Sequence, residues 1–246
     1  MNPNEVFASY EESKRKPRVA CEVCGKLACL DWAYWKKVCD QCVESYWEKD
    51  KVKDRPSNTL TDRMLKIGIP ERFTGCRFDN FEPIGRADTQ AMSALRDIVK
   101  DSRPMGAYIH GSPGIGKTHL LAAMAAEFLQ RGEFPRFAYV GNLIQAITDS
   151  WRSDSPSPLD KLSKASILLL DDLTFQTRPP EFVERELNTL INSIYDGNSQ
   201  KLVVTSNVIP SALAPMLGDR FSSRICGLCT VVPISGTDHR IKRGKK

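Results

Sequence analysis

The chain has 246 residues, enough for one sizeable hydrophobic core and a small additional module. Its hydrophobic content of 41% and charged content of 26% are ordinary for a globular protein, and a net charge of +5 permits nucleic-acid contact without demonstrating it. No apolar run approaches the roughly 18 residues of a membrane span, and Met1–Tyr10 lacks the pattern of a signal peptide. We therefore expect a cytoplasmic protein with no membrane partner.

Two C-x-x-C pairs come first along the chain, separated by 14 residues: Cys21, Cys24, Cys39 and Cys42. Four thiolates in two tight turns match the ligand set of tetrahedral Zn²⁺, and four protein ligands leave no open position, so the predicted zinc is structural. A redox C-x-x-C and unliganded cysteines are the alternatives, and we treat Cys29, inside the spacer, as a spectator. Metal binding would supply stability that so small a segment cannot obtain from its own core.

A charged stretch follows, in which Arg55–Asn58 breaks regular structure. We place the zinc module at 1–50, a linker at 51–66 and a larger domain at 67–246. The larger domain begins with an irregular segment that carries Phe73, Phe78 and Phe81. These aromatic side chains suit packing against a nucleotide base or against the core, and a helix is predicted next, at 88–100.

The central motif of the larger domain fits G-x-x-x-x-G-K-[ST], the phosphate-binding loop: Gly111, Ser112, Pro113, Gly114, Ile115, Gly116, Lys117 and Thr118. Glycines allow successive backbone N–H groups to face a triphosphate, while the lysine supplies a positive charge and the threonine a hydroxyl for Mg²⁺. A predicted strand at 107–110 precedes the loop and a predicted helix at 119–130 follows it. Strand, loop and helix in this order predict a nucleotide site.

The rest of the domain alternates strands, at 136–140, 165–172 and 201–207, with helices at 142–151, capped by Asn142, and at 181–195. This alternation predicts an open parallel α/β sheet. One apolar strand ends in Asp171 and Asp172, and another ends in Asn207. These side chains are expected at the sheet edge that carries the glycine loop. One aspartate can hold Mg²⁺, and its neighbour can orient or deprotonate the attacking water. The amide of Asn207 can contact the γ-phosphate or that water.

From about Ile67 onward the sequence resembles AAA+ ATPases of the DnaC/IstB type, which are bacterial and phage helicase loaders and transposition helper ATPases. The resemblance lies in the segments IPERFTGCRFDNF, GSPGIGKTHL, ILLLDDL, VVTSN, GDRFSSRI and GTDHR. It implies an AAA+ P-loop core with a five-stranded parallel sheet. The zinc module lies outside this region and is similar in placement to the zinc-bearing N-terminal domain of some Gram-positive-type loaders, where that domain docks on the replicative helicase.

The resemblance also implies roles for individual residues. Lys117 and Thr118 would be Walker A residues, Asp171 the magnesium-side carboxylate, Asp172 the catalytic carboxylate and Asn207 the first sensor. Arg224 would be an arginine finger that reaches the ATP of a neighbouring copy, with Arg220 as the alternative, and Arg240 would stand at a second-sensor position. ATP hydrolysis would then be weak in one chain and stimulated by homo-oligomer assembly or DNA. Cys226 and Cys229 form a further C-x-x-C that lacks a second pair, so we expect buried or free thiols there.

Three functions fit these features. The first is an ATP-dependent DNA replication protein that binds a hexameric replicative helicase and loads it onto single-stranded DNA, with ATP, Mg²⁺ and Zn²⁺ as cofactors. The second is a transposition helper ATPase acting on a transposase. The third is a zinc-finger DNA-binding regulator with a nucleotide switch, which the aromatic residues and basic flank of the module permit. The terminal module favours the loader, because a docking domain suits a large protein partner.

Overall fold

We describe a computed structural model of the chain, in which secondary structure is defined for residues 19–20, 27–28, 59–83, 85–103, 105–153, 156–197, 200–236 and 238. Two compact units can be distinguished. One consists of Met1–Ser57 with Gln145–Pro158, and the other of Asn58–Ile144 with Leu159–Lys246. In the part of the chain that is described, no helix is long and apolar enough to cross a bilayer.

The first unit contains a short antiparallel hairpin, with β1 (Val19–Ala20) paired to β2 (Leu27–Ala28). The strands flank the first C-x-x-C pair in the sequence. The four predicted zinc ligands lie outside the described residues, as does Cys29.

The second unit holds a five-stranded sheet formed by β3 (Gly106–His110), β4 (Arg136–Tyr139), β5 (Ile167–Asp171), β6 (Lys201–Ser206) and β7 (Cys229–Pro233). The strand order is β4-β5-β6-β3-β7, and every neighbouring pair is parallel. The predicted five-stranded parallel α/β sheet is therefore confirmed. All residues of β5 and β6 are buried, which explains the apolar run of β5 and the apolar centre of β6, Leu202–Val204.

The helices of the described chain are α1 (Leu60–Lys66), α2 (Arg86–Lys100), α3 (Lys117–Gln130), α4 (Val140–Arg152), α5 (Leu159–Leu162), α6 (Glu181–Gly197), α7 (Ala214–Leu217) and α8 (Asp219–Leu228). Short 3-10 helices lie at Glu71–Phe73, Phe78–Asn80 and Pro210–Leu213. The boundary between the two units falls inside α4. Helix α3 is buried along most of its length, and its alanine-rich sequence lets the helix lie close against its neighbours.

Two local predictions need correction. The predicted linker, 51–66, ends in a helix: α1 is capped by Thr59, and its Met64 is completely buried in the core. The charged residues around it conceal the apolar i, i+4 spacing of Leu60 and Met64, which is the signal of an amphipathic helix. In α4, Asn142 lies inside the helix and not at its cap, because the helix follows β4 directly and begins at Val140.

Candidate nucleotide-binding site

The predicted site residues meet at one edge of the sheet. Strands β5, β6 and β3 are neighbours, and they end at Asp171, Ser206 and His110 respectively. The glycine loop, Asp172 and Asn207 follow these ends, so three separate segments of sequence converge at the carboxyl edge of the strands. In open parallel sheets this edge is where ligands bind.

The glycine loop joins β3 to α3. Two of its residues, Gly114 (φ 80°) and Gly116 (φ 100°), have a left-handed backbone conformation. Gly116 is the N-cap of α3, and a Cβ at this position would lie 2.6 Å from Cε2 of Phe81. The loop therefore requires glycine both for its conformation and for the aromatic ring against it. The N–H groups at the start of α3 face the loop, as in anion sites at helix N-termini.

Lys117 is nearly buried, and its ammonium group donates hydrogen bonds to two carbonyl oxygens of the loop, those of Gly111 and Ser112, at 2.8 Å each. The positive charge is thus held directly over the turn. This is the position from which a lysine can contact the phosphate groups of a nucleotide.

Asp171 is the buried carboxylate of the site. Its oxygens accept hydrogen bonds from the Thr118 hydroxyl, at 3.0 and 3.1 Å, and from the Thr205 hydroxyl, at 2.6 Å. Burial raises the pKa of Asp171 and the nearby charge of Asp172 adds to this effect, while the two hydroxyl donors oppose it. A hydroxyl and a carboxylate in contact are oxygen ligands of the kind Mg²⁺ prefers, and a cation would relieve the unfavourable burial of this charge. The side chains therefore fit a magnesium ion.

Asp172 stands out by its backbone, with a φ of 61° that is the sole positive value among the described residues other than glycine. Its N–H donates to the Thr205 hydroxyl at 2.8 Å, and its carboxylate accepts from the Asn207 amide at 3.2 Å. The carboxylate of Asp172 has different hydrogen-bond partners from that of Asp171, so the two acidic groups have different surroundings. Strain of this kind is found where a side chain must be positioned for function.

Two residues that hydrogen-bond to the paired aspartates were not predicted from the sequence. The Tyr139 hydroxyl donates to the second oxygen of Asp172 at 3.3 Å, and Thr205 bridges Asp171 and Asp172. Thr205 has a visible signal in the sequence, since it is a polar residue directly after the apolar run Leu202–Val204 of a buried strand. Tyr139 has none, because its position depends on the register that pairs it with Asp171 in the neighbouring strand.

The aromatic residues of the lead-in segment pack in the core, next to the first turn of α3. Phe78 and Phe81 are buried in the core, and the Phe81 ring also contacts the ring of His119 edge-on, with centroids 5.4 Å apart. His119 Nε2 lies 2.9 Å from the Arg77 carbonyl oxygen. Core packing accounts for these rings, and they fasten the lead-in segment to the first turn of α3.

The segment after β7 also lies against the glycine loop. The Ile234 N–H donates to the His110 carbonyl, and the Ser235 N–H donates to Asp88, a buried residue in the first turn of α2. A Cβ at Gly114 would come within 2.0 Å of the Asp238 carboxylate, so this side chain lies directly against the loop. Arg240, predicted to contact the nucleotide, lies outside the described residues.

The two predicted finger arginines lie on α8. Arg220 is exposed, whereas the Arg224 guanidinium lies over the ring of Tyr195, 5.4 Å from its centroid. The Arg224 Nη1 is buried and has no hydrogen-bond partner among the described residues.

Cys226, on the same helix, is an exposed free thiol, and the free thiol of Cys229 is buried and donates to the Leu202 carbonyl, as expected. Burial raises the pKa of Cys229. Across the described ranges, no group of three or more His, Cys, Asp or Glu side chains is placed to hold a metal ion.

A parallel sheet in this order, with a glycine loop after β3 and paired aspartates after β5, defines a P-loop nucleotide-binding domain of the AAA+ class. Residues 71–231 match the family of the bacterial DnaA ATPase domain. Because this match covers more than half of the chain, the protein belongs to that family.

Individual relatives agree with this assignment. The replicative helicase loader DnaC of Escherichia coli (strain K12) is 28% identical over 168 residues, which are 65% of this chain and 66% of DnaC. The chromosomal replication initiator protein DnaA of Brucella suis biovar 1 (strain 1330) is 32% identical over 181 residues, 70% of this chain and 34% of DnaA. The chain thus spans just under two thirds of DnaC and about one third of DnaA.

Solved structures show the same fold. The crystal structure of the DnaC helicase loader superposes with a TM-score of 0.62 at 23% identity, covering 68% of this chain and 100% of that one. AMPPCP-bound DnaA from Aquifex aeolicus gives a TM-score of 0.59 at 24% identity, covering 72% of this chain and 54% of DnaA.

Proposed function

We propose that this protein is an ATP-dependent DNA replication factor that binds a hexameric replicative helicase and loads it onto single-stranded DNA. The observation that carries the proposal is the hydrogen-bonded network at the glycine loop, in which Thr118, Asp171 and Thr205 are joined to Asp172 and Asn207. The names of the DnaC relatives, replicative helicase loaders, support the choice of partner.

ATP with Mg²⁺ is the ligand that best suits the site. The loop N–H groups and Lys117 would hold the phosphates, and Thr118 with Asp171 would hold the magnesium ion. A bound magnesium ion offsets negative charge on the transferring phosphoryl group. Asp172 would orient and deprotonate the attacking water, and Asn207, which already contacts Asp172, would fix the position of that carboxylate.

Hydrolysis would be completed by a second copy of the chain. A guanidinium from outside stabilises charge on the transferring phosphoryl group and is worth several orders of magnitude in rate in other P-loop enzymes. Arg224 is the better candidate of the two arginines, since it has a buried donor without an acceptor in the described chain. The ATPase activity would therefore depend on assembly of a homo-oligomer.

The N-terminal region would bind one structural Zn²⁺ through Cys21, Cys24, Cys39 and Cys42 and dock on the helicase. The pairing of β1 with β2 supports this, because the strands join across a six-residue connection, 21–26, that contains the first two cysteines. Tetrahedral zinc sites commonly take two of their ligands from a C-x-x-C pair.

Nucleotide binding is tested with the full-length protein and a fluorescent ATP analogue in the presence of Mg²⁺. We expect Lys117→Ala to weaken binding by about 10-fold or more, because the lysine would contact the phosphate groups directly. The exposed Lys164→Ala variant is the matched control and should bind as wild type does. Absence of nucleotide binding by the wild-type protein would refute an ATP-dependent function.

The partner is tested by a pull-down of the replicative helicase of the same organism, with and without ATP. We expect the wild-type protein to retain the helicase and Lys117→Ala to lose the response to ATP. Failure to retain the helicase under every condition would reject the loader and leave the transposition helper or the DNA-binding regulator.

Zinc is tested by elemental analysis of the purified full-length chain. We expect one zinc per chain, lost in Cys21→Ser and in Cys39→Ser but kept in Cys226→Ser, whose thiol is free and exposed. A wild-type chain purified without zinc would argue against the metal module.

A further inference from the structure

We infer that Tyr195 is a positioning residue, which holds the Arg224 guanidinium ready for an acceptor supplied by a second copy of this chain. Because it depends on an arginine acting in trans, this role rests on the function proposed above. Its basis is a contact between α6 and α8 that neither the glycine loop nor the paired aspartates explains.

The contact has the geometry of a cation–π pair. The Arg224 Cζ lies 5.4 Å from the centroid of the Tyr195 ring, inside the range of about 6 Å in which such pairs attract. Tyr195 lies two residues before the end of α6 and keeps 46% of its surface exposed. The ring is therefore a platform at the surface and not a member of the core.

The space for the ring is provided by α8 itself. Gly227 follows Arg224 by one turn of the helix, and a Cβ at Gly227 would lie 3.0 Å from Cε2 of Tyr195. That distance is shorter than a comfortable carbon–carbon contact, so a larger residue would push the ring away from the guanidinium. Arg224, Gly227 and Tyr195 thus form one arrangement on two helices.

The guanidinium has a donor that the described chain does not use. Arg224 Nη1 is buried and has no hydrogen-bond partner among the described residues. Buried donors in folded proteins almost always have an acceptor, so this unpaired Nη1 gains a hydrogen bond if the guanidinium turns outward to an acceptor on a second copy. An oxygen of a phosphate bound to another copy of the chain is an acceptor of the right charge.

An aromatic ring is suited to this task in a way that a carboxylate is not. Arg178 shows the contrast: its guanidinium donates to both carboxylate oxygens of Glu184, which offset its charge and occupy its donors. A neutral ring against the face of the guanidinium orients it, while the charge and the in-plane donors remain available for phosphate. Tyr195 would therefore restrict the Arg224 guanidinium to fewer orientations before it meets the phosphate.

The test is a mixing experiment with full-length variants. One variant, Arg224→Ala, keeps its nucleotide loop but lacks the finger, and we call it the acceptor protein. The other, Lys117→Ala, lacks nucleotide binding but keeps Arg224, and we call it the donor protein. Neither should hydrolyse ATP alone, and the mixture should, at donor concentrations that saturate the rate. Three further donors carry Lys117→Ala together with Tyr195→Phe, Tyr195→Leu or Tyr195→Ala.

We expect the Phe donor to restore hydrolysis within about twofold of the Tyr donor, and the Leu and Ala donors to restore about 3- to 10-fold less. The KM for ATP should stay constant while kcat falls, because the acceptor's own pocket is unchanged. Equal kcat with all four donors would overturn the role of Tyr195 while leaving the trans arginine intact. No hydrolysis in the first mixture would instead overturn the trans arginine, and the role of Tyr195 with it.

Folding is checked separately with the single variants Tyr195→Leu and Tyr195→Ala. Both should bind the fluorescent ATP analogue with wild-type affinity and unfold at a similar Tm, because the ring is half-exposed. Weakened nucleotide binding by both would show that Tyr195 supports the fold in general and would contradict a positioning role.

Discussion

The burial of Asp171 at the candidate site has a cost in stability. Asp171 is 5% exposed and lies beside a second acidic residue. Folding therefore places its carboxylate in an environment that disfavours the negative charge. The hydroxyl groups of Thr118 and Thr205 offset part of this cost. Stability lost at a functional carboxylate and recovered by a bound cation is a common arrangement in catalytic sites.

We predict that Asp171→Asn abolishes ATP hydrolysis while raising the Tm at neutral pH. The amide keeps an oxygen for the two hydroxyl donors but removes the buried charge. Thermal unfolding without nucleotide or Mg²⁺ is the measurement, and Asp97→Asn, an exposed carboxylate on α2, is the control that should leave Tm nearly unchanged. A lower Tm for Asp171→Asn would show that the charge itself stabilises the fold.

The same pair of proteins makes a pH-dependent prediction. The pKa of Asp171 in the folded state is raised above its ordinary value of 3.8. The Asp171 carboxylate therefore takes up a proton more readily in the folded state than in the unfolded state. The stability gained from protonation is complete below 3.8 and is lost as the pH rises through the raised pKa. The Tm difference between Asp171→Asn and wild type should therefore be largest at neutral pH and shrink on acidification. A difference that grows on acidification would contradict the raised pKa.

Asp172 is restrained on both oxygens, by Asn207 and by Tyr139. Burial raises the pKa of Tyr139 and the charge of Asp172 adds to it, so the phenol stays a neutral donor. A carboxylate that accepts such a bond has one oxygen fewer for a water molecule. The tyrosine would then limit hydrolysis until it moves.

We predict that Tyr139→Phe raises the basal ATPase rate by about 2- to 10-fold without changing nucleotide affinity, because it frees one oxygen of Asp172, the proposed general base. Steady-state hydrolysis by the purified protein is the measurement. Tyr195→Phe is a matched control, since Tyr139 is 42% and Tyr195 46% exposed and only Tyr139 donates to Asp172. A fall in rate would mean that Tyr139 assists Asp172.

Among the elements, β3 determines where the glycine loop lies, and its first residue shows how closely the sheet constrains it. Gly106 pairs with Cys229 of β7, and a Cβ on it would lie 1.6 Å from the Leu202 carbonyl oxygen of β6. Only glycine lets the three strands approach at this point, and any shift of β3 would move the loop away from Asp171.

We predict that Gly106→Ala destabilises the protein by about 2–4 kcal/mol, since rigid backbone and not a flexible side chain opposes the new methyl group. Chemical denaturation of the nucleotide-free protein is the measurement. Gly75→Ala is the control, because no atom lies within 4 Å of a Cβ at that position. Equal stability of the two variants would show that β3 can move away from β6 at little cost.

The elements differ in how well the sequence predicts them, and the reason is physical. The apolar strand that ends in Asp171 and the glycine loop are local patterns, so their type and approximate limits follow from sequence alone. The insertion of β3 between β6 and β7, and the contact of Tyr139 with Asp172, depend on packing between distant segments. The sequence does not reveal helix α1, because charged residues surround the apolar pair Leu60 and Met64 that faces the core.

At the scale of the whole molecule, the family match and the site describe different parts of the function. The match covers 71–231 and includes the loop, both aspartates and Arg224, but not the N-terminal cysteines. The part shared with the family is therefore the nucleotide domain, and the proposed zinc module would be the part that selects the partner. This division agrees with the proposed docking role.

A site that needs a second copy of the chain has a kinetic signature. If Arg224 completes the pocket of a neighbour, the ATPase rate per chain should increase with protein concentration, since only assembled chains have complete sites. We predict this increase for wild type and a flat, low rate for Arg224→Ala, with kcat reduced by about 10³-fold and nucleotide affinity retained. Hydrolysis measured over a range of protein concentrations, with light scattering to follow assembly, provides the test.

Arg220→Ala decides between the two arginines on α8. Arg220 is exposed and Arg224 lies against Tyr195, so we expect Arg220→Ala to keep both the concentration dependence and most of the rate. Loss of activity in Arg220→Ala alone would make Arg220 the residue that crosses to the neighbour. A wild-type rate per chain that does not depend on concentration, in a protein that stays monomeric, would show that each site is complete on its own.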